Sequence, residues 1–154
     1  MRNEFVPYNE SLELKELGFD ELCITSYDTD SKLRNPFDYN NCEYNDILNH
    51  QSYFEDAKHF VQNSTINQSS GFIAAPIFSQ VFRWFREKYH LIGGIEYIGG
   101  ATPNTTWWDI YVVGHFNTDT SKMTMKYQPY EEAELACLRK LIEIVKKIKN
   151  EYNS

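Results

Sequence analysis

The chain has 154 residues, with 22 Asp and Glu against 15 Lys and Arg, a formal net charge of −7, and 16% aromatic residues. That length suits one domain able to bury a core, while the acidic balance excludes general nucleic-acid binding, which needs a basic stripe. No run approaches the ~18 apolar residues of a membrane span, no apolar leader is visible, and three scattered cysteines (Cys23, Cys42, Cys137) give no disulfide framework, so a reducing cytoplasm is the expected compartment.

The charge is uneven. Residues 1–77 carry 13 acidic and 5 basic side chains, a net of −8, and residues 78–154 carry 9 and 10, a net of +1. An acidic half reads either as solvated surface or as a face for a basic partner.

In chain order, Pro7 opens a helix expected over 7–17, since a proline at the first turn loses no hydrogen bond. Gly18 closes it in the left-handed conformation, with Phe19 packing back on Leu14. Leu12, Leu14 and Leu17 supply its apolar side. Leu22 to Tyr27 reads as a strand, rich in β-branched and aromatic types. Residues 28–70 are crowded with Asn, Asp, Ser and Tyr and read as an irregular insert, of a kind that is often functional or mobile. Within it, Ile47, Phe54 and Ala57 suggest a short helix inside 44–60, and a strand is expected around 58–62. Asn63-Ser64-Thr65 matches a glycosylation acceptor; without a secretion signal the match reads as chance.

The run Ile73 to Tyr89 is amphipathic, with a helix expected over 76–90 from Pro76. Phe78, Val81, Phe82, Phe85 and Tyr89 fall on one face, and Ser79, Arg83, Arg86 and His90 on another. Gly93-Gly94 is expected to stop it. Residues 95–98 and 107–116 read as a hairpin around a Gly- and Pro-containing loop. Alternation places Trp108, Ile110, Val112 and Phe116 on the core face, and Trp107, Asp109, Tyr111, Val113 and His115 opposite. A final helix over 130–151 carries Glu131, Glu132 and Glu134 early and Lys146, Lys147 and Lys149 late, as its dipole favours. Leu135, Leu138, Leu141, Ile142, Val145 and Ile148 form its stripe, Cys137 reads as a buried thiol, and Glu143–Lys147 as an i,i+4 pair. The expected fold is α+β: a small twisted antiparallel sheet of three to five strands packed on two long amphipathic helices, with a short N-terminal helix, in a single domain over 1–154.

Three blocks recur as a set: Phe5 to Glu21, the Phe-Arg-Trp-Phe-Arg-Glu-Lys-Tyr run ending at Tyr89, and the Tyr-Glu-Glu-Ala-Glu-Leu-Ala-Cys-Leu run from Tyr130. Together they resemble a family of small bacteriophage and prophage proteins with no established function. The resemblance covers about a third of the chain and leaves 28–70 unmatched. It implies a phage or prophage origin and a bacterial host cytoplasm, and brings no catalytic residues.

Arg83, Arg86 and His90 lie on one helix face and suit phosphate or carboxylate; internal ion pairing is the alternative. Trp107 and Tyr111 share the second hairpin face, where they form either a stacking platform or a surface covered by the insert. Asp109, Glu96 and His115 share that face too, but Asp109 and His115 stand about 20 Å apart along a strand, too far for an acid–base pair. Cys42, His50 and His59 are spaced too loosely for a metal signature, and Ser79 has no recognisable base. The expected activity is therefore binding rather than catalysis, with no cofactor and no metal. In the setting that the resemblance implies, the leading expectation is an accessory protein that docks on a host protein and inhibits it, for example a CRISPR nuclease or its RNA complex. The acidic group Glu10, Glu13, Glu16, Asp20, Glu21, Asp28 and Asp30 would meet the partner's basic channel, and aromatics from 37–54 would add anchoring area. The alternative is a small-ligand or nucleotide sponge using Arg83, Arg86, His90, Trp107 and Tyr111.

Overall fold

The computed structural model describes residues 4–34, 61–64, 71–100, 107–114 and 123–152. Among these, three helices and five strands in two antiparallel sheets make an α+β protein. The chain groups into two compact units, one formed by Pro7–Pro76 and the other by Met1–Val6 with Ile77–Ser154. The helix expected inside 44–60, the aromatics of 37–54, Cys42, His50, His59, His115 and Phe116 lie outside the described residues.

In the Pro7–Pro76 unit, helix α1 spans Tyr8–Glu16. Pro7 flanks it with extended backbone (φ −58°, ψ 158°), and its carbonyl accepts the Ser11 N–H at 2.9 Å. Gly18 sits at φ 86°, where the Phe19 N–H reaches the Leu14 carbonyl and the Gly18 N–H reaches that of Lys15, both at 2.9 Å. This paired closure is what a left-handed glycine allows at a helix end. Leu14, Leu17 and Phe19 are buried, whereas Leu12 is left exposed. The expected 22–27 strand is shorter: β1 is Ser26–Tyr27, pairing antiparallel with β2, Ile73–Ala74. Cys23 bridges Val61 through two backbone hydrogen bonds of 2.8 Å. Buried Cys23 and Thr25 still alternate with exposed Leu22 and Ile24, as a strand demands.

The second unit begins with a bridge from Phe5 to Ile77. Helix α2 spans Phe78–Tyr89, starting later than expected because Ile73–Ala74 is strand β2 and Ile77 is extended (ψ 154°). Phe78, Val81, Trp84 and Phe85 are buried, so Trp84 joins the apolar face that spacing gave to Phe82 and Tyr89. The stop is not Gly93-Gly94. His90 ends the helix in the left-handed region (φ 54°, ψ 33°), and both glycines lie inside strand β3, Leu91–Tyr97. Packing explains them. A Cβ on Gly93 would stand 2.8 Å from Cys137 Sγ and 2.9 Å from Leu141 Cδ1, and one on Gly94 would enter the Tyr111 ring. Glycine in a strand marks this kind of close approach.

Strand β4, Trp108–Gly114, pairs antiparallel with β3 from Leu91↔Gly114 to Tyr97↔Trp108. Strand β5, Met123–Tyr127, completes the order β3-β4-β5, with an irregularity between Trp108 and Ile110. Helix α3, Tyr130–Tyr152, contacts all three strands and α2. Leu138, Leu141, Ile142 and Val145 are buried on it, as are Ala133 and Cys137, which cluster with Ile110. Each such fully buried aliphatic stabilises the fold by roughly 1.5–3 kcal/mol. Glu143 pairs at 3.1 Å with Lys140, one turn before it, rather than with the Lys147 one turn after it that spacing suggested.

Candidate functional site

The unit boundary coincides with the charge boundary. Pro7–Pro76 contains twelve acidic and four basic residues, a net of −8, while the other unit nets +1 from ten acidic and eleven basic residues. The seven carboxylates singled out from the sequence all belong to the acidic unit, in different environments. Glu10 is buried at 5% exposure. Its charge adds to the burial that raises the Tyr27 phenol above its usual value. Glu13, Glu21 and Asp28 are half-buried, and Glu16, Asp20 and Asp30 are exposed. Asp20 Oδ1 accepts the Ser64 N–H at 2.7 Å. Asp28 Oδ1 accepts the N–H groups of Asp30 and Lys32, both at 2.9 Å, and so holds a turn. Thus Asp20 and Asp28 shape the backbone as well as charge the surface.

Asn63 is a buried hydrogen-bonding bridge in this unit. It is 7% exposed; its Nδ2 donates to the Phe19 carbonyl at 2.8 Å, and its Oδ1 accepts the Ala74 N–H at 3.1 Å. An amide so engaged is not presented for glycosylation in the folded chain.

In the other unit, the three-stranded sheet has one face toward the helices and one open. The missing Gly93 side chain points at Cys137, Leu141 and Phe82, so α2 and α3 cover the face of Gly93, Ile110 and Val112. The alternate residues project oppositely. On that open face the register pairs Ile92 with Val113, Gly94 with Tyr111, and Glu96 with Asp109. The Ile98 N–H reaches the Trp107 carbonyl at 3.1 Å, extending the pairing. Ile92 (48%), Val113 (47%), Ile98 (50%) and Tyr111 (37%) are all exposed. Lys126 Nζ lies 5.7 Å from the centre of the Trp107 ring, a cation–π contact at the patch's margin.

This geometry separates the ligand residues read from the sequence. Trp107 and Tyr111 share the open sheet face, whereas Arg83 and Arg86 are exposed on α2, on the helix-covered side. His90 is exposed at the α2–β3 junction. The Lys88 ammonium lies 4.9 Å from the Trp84 ring and 5.6 Å from that of Tyr89; burial and then the Lys149 charge lower its pKa.

Spacing did not anticipate the titratable groups near the start of α3. Burial raises the pKa of Tyr127, Tyr130 and Glu134, with charges from Asp109, Glu134 and Glu131 respectively adding to it. The Cys137 thiol is pushed up to about 12 by burial, with the Glu134 charge adding to it and a hydrogen bond from the Gly94 backbone opposing it. Cys23 also rises to about 12, through burial and then Glu21. Thiols held so high are protonated at neutral pH and are poor nucleophiles. Among the described residues, no three His, Cys, Asp or Glu side chains gather closely enough to hold a metal ion, and no helix is long and apolar enough to cross a membrane.

Two readings escaped the sequence. Strand β5 has a legible signal, Met123-Thr-Met-Lys-Tyr127, which alternates apolar and polar. Ile92 joins the open face only because β3 runs through Gly93-Gly94; extending the pairing past those glycines sets it opposite Val113. Compared with known proteins, the chain matches no family model, no curated protein and no solved structure.

Proposed function

We propose that this chain is a non-enzymatic docking protein whose acidic unit binds a basic surface of a host protein and blocks it. The observation that carries the reading is that the net negative charge falls in one compact unit, Pro7–Pro76, at −8, while the other unit is near neutral. A field concentrated in this way steers association with a cationic cleft and competes with the polyanion that the cleft normally holds. Glu16, Asp20 and Asp30 are the exposed carboxylates of the group, with Glu13, Glu21 and Asp28 at its half-buried margin. Glu10 would act from within, through the packing of α1.

The resemblance of three sequence blocks to phage and prophage proteins suggests the setting, a bacterial host cell. There the basic channel of a nucleic-acid-handling defence enzyme, such as a CRISPR nuclease or its RNA complex, is the fitting target. The test is a titration of the purified protein into cleavage reactions of a panel of host effector nucleases at two salt concentrations. Inhibition that weakens with salt, and is lost when Glu16, Asp20 and Asp30 are together changed to lysine, supports the reading. Absence of both binding and inhibition across the panel at micromolar protein would refute it.

A further inference from the structure

At one end of the three-stranded sheet, the face turned toward the helices is aromatic. The register sets Tyr97 beside Trp108 and Trp108 beside Tyr127, so each strand puts one aromatic residue into a row. Tyr130 joins the row from the first turn of α3. The ring centroids of Tyr97 and Trp108 stand 5.6 Å apart with 65° between planes, and those of Trp108 and Tyr130 stand 5.1 Å apart at 83°. An edge-to-face pair engages only one ring face, so these pairs leave most faces of the trio for other contacts. Trp108 and Tyr127 are half-buried against the Ile110, Ala133 and Cys137 cluster, whereas Tyr97 and Tyr130 are exposed.

Glu134 stands one turn along α3 from Tyr130, at the i,i+4 position that places side chains on one helix face. It is half-buried. Among the described residues it enters no hydrogen bond or ion pair, and the charge that acts on it is that of Glu131. The charges that act on Tyr127 and Tyr130 are of the same sign. The basic residues closest along the chain are turned elsewhere. Lys126 alternates with Tyr127 and lies by Trp107 on the open face. Lys140 is paired with Glu143, and Arg139, five residues past Glu134, stands about 140° around the helix from it. A half-buried carboxylate with no cation opposes folding, and groups of this kind cluster at functional sites.

We propose that Tyr97, Trp108, Tyr130 and Glu134 form a binding site for an alkylated ammonium group, as carried by choline-like small molecules and by methylated lysine side chains. The chemistry of the site selects this class. Aromatic faces attract a cation through their quadrupole, tryptophan best of all. Glu134 supplies the counter-charge. A bare ammonium would bring three N–H donors to one carboxylate and a set of rings, whereas methyl groups in their place need no acceptor and bury well against the rings. An anion would meet Glu131 and Glu134. The site lies outside the acidic unit and does not depend on the proposed inhibition.

The experiment is titration of the full-length protein, at constant ionic strength, with choline chloride, with a glycine-flanked trimethyl-lysine peptide and with its unmethylated counterpart. The readout is the indole N–H shift of Trp108. The neutral tert-butyl analogue of choline, which keeps its shape without the charge, is the control. At least one methylated cation is expected to bind about fivefold or more tighter than the control and the unmethylated peptide. Tighter binding of choline would make the source a small molecule, and tighter binding of the peptide a modified protein; either supports the site. Glu134→Gln and Tyr130→Leu are each expected to weaken binding about fivefold or more, while Glu132→Gln, which removes the same charge from an exposed position on α3, leaves affinity unchanged. Glu134→Gln removes a carboxylate that opposes folding, so it decides the matter if Tyr130→Leu misfolds. No Trp108 shift with either methylated cation at millimolar concentration, equal affinity for the control or the unmethylated peptide, or equal affinity of the parent and Glu134→Gln would overturn the proposal.

Discussion

Replacing Asn63 with alanine should loosen the acidic unit more than any surface change in it. The amide joins two buried elements: its Nδ2 serves the carbonyl of Phe19, just past the end of α1, and its Oδ1 takes the N–H of Ala74 in β2. Phe19 and Ala74 are each 1% exposed, so water cannot readily replace the lost partner. Each buried backbone group left unsatisfied costs about 1–3 kcal/mol, giving a loss of roughly 2–4 kcal/mol once partial relaxation is allowed. Asn63→Asp separates the two bonds. It keeps an acceptor for Ala74 but sets a carboxylate against the Phe19 carbonyl, where only the protonated acid can donate. The introduced group therefore has a folded pKa above its unfolded one. Its stability is greatest below the unfolded value and is lost as pH rises through the folded value. Urea unfolding followed by far-UV circular dichroism gives the total, and amide exchange at Ala74 gives the local effect. Trp84, Trp107 and Trp108 all lie in the other unit, so their fluorescence follows that unit separately. A loss below about 0.5 kcal/mol, within the range of ordinary surface substitutions, or unchanged Ala74 exchange, would refute the bridging role.

Gly93→Ala should destabilise the sheet–helix unit by about 1–3 kcal/mol through overpacking on Cys137 and Leu141; Cys137→Ala in the same chain should recover part of it, as a double-mutant cycle in thermal unfolding would read. Cys23 and Cys137, both at about 12, should resist a thiol reagent at pH 8 in the native protein and react after unfolding in urea, with the labelled positions mapped by mass spectrometry. Burial and the Glu131 charge raise the Glu134 carboxyl, so its ionisation opposes folding. Stability from this group is complete below the unfolded carboxyl value and declines as pH rises through the raised one. Glu134→Gln should therefore stabilise the protein at neutral pH and make little difference in acid; an equal effect at both would contradict the assignment.

Local patterns carried much of the architecture. The Gly18 closure of α1, the apolar stripe of α3 and the alternation of β4 each depend on contacts a few residues apart or on a simple period, so reading along the chain finds them. The acidic bias of the first half was equally legible, as was Cys137 as a buried thiol. Gly93-Gly94 misled because glycine's usual local meaning is a turn. Here the cause is remote, in side chains of Cys137, Leu141 and Tyr111 that leave no room for a Cβ. The same two glycines concealed the reach of β3, and with it the apposition of Ile92 with Val113.

By itself, then, the sequence determined the α+β character, the helix faces and the charge partition, because these follow from periodicity and composition. Only the tertiary structure decided that the net-acidic segment Pro7–Pro76 groups as a compact unit, that Arg83 and Arg86 stand on the other side of the sheet from Tyr111, and that Asn63 is a buried bridge. Those outcomes depend on strand register and on which face the helices cover, and long-range packing sets both.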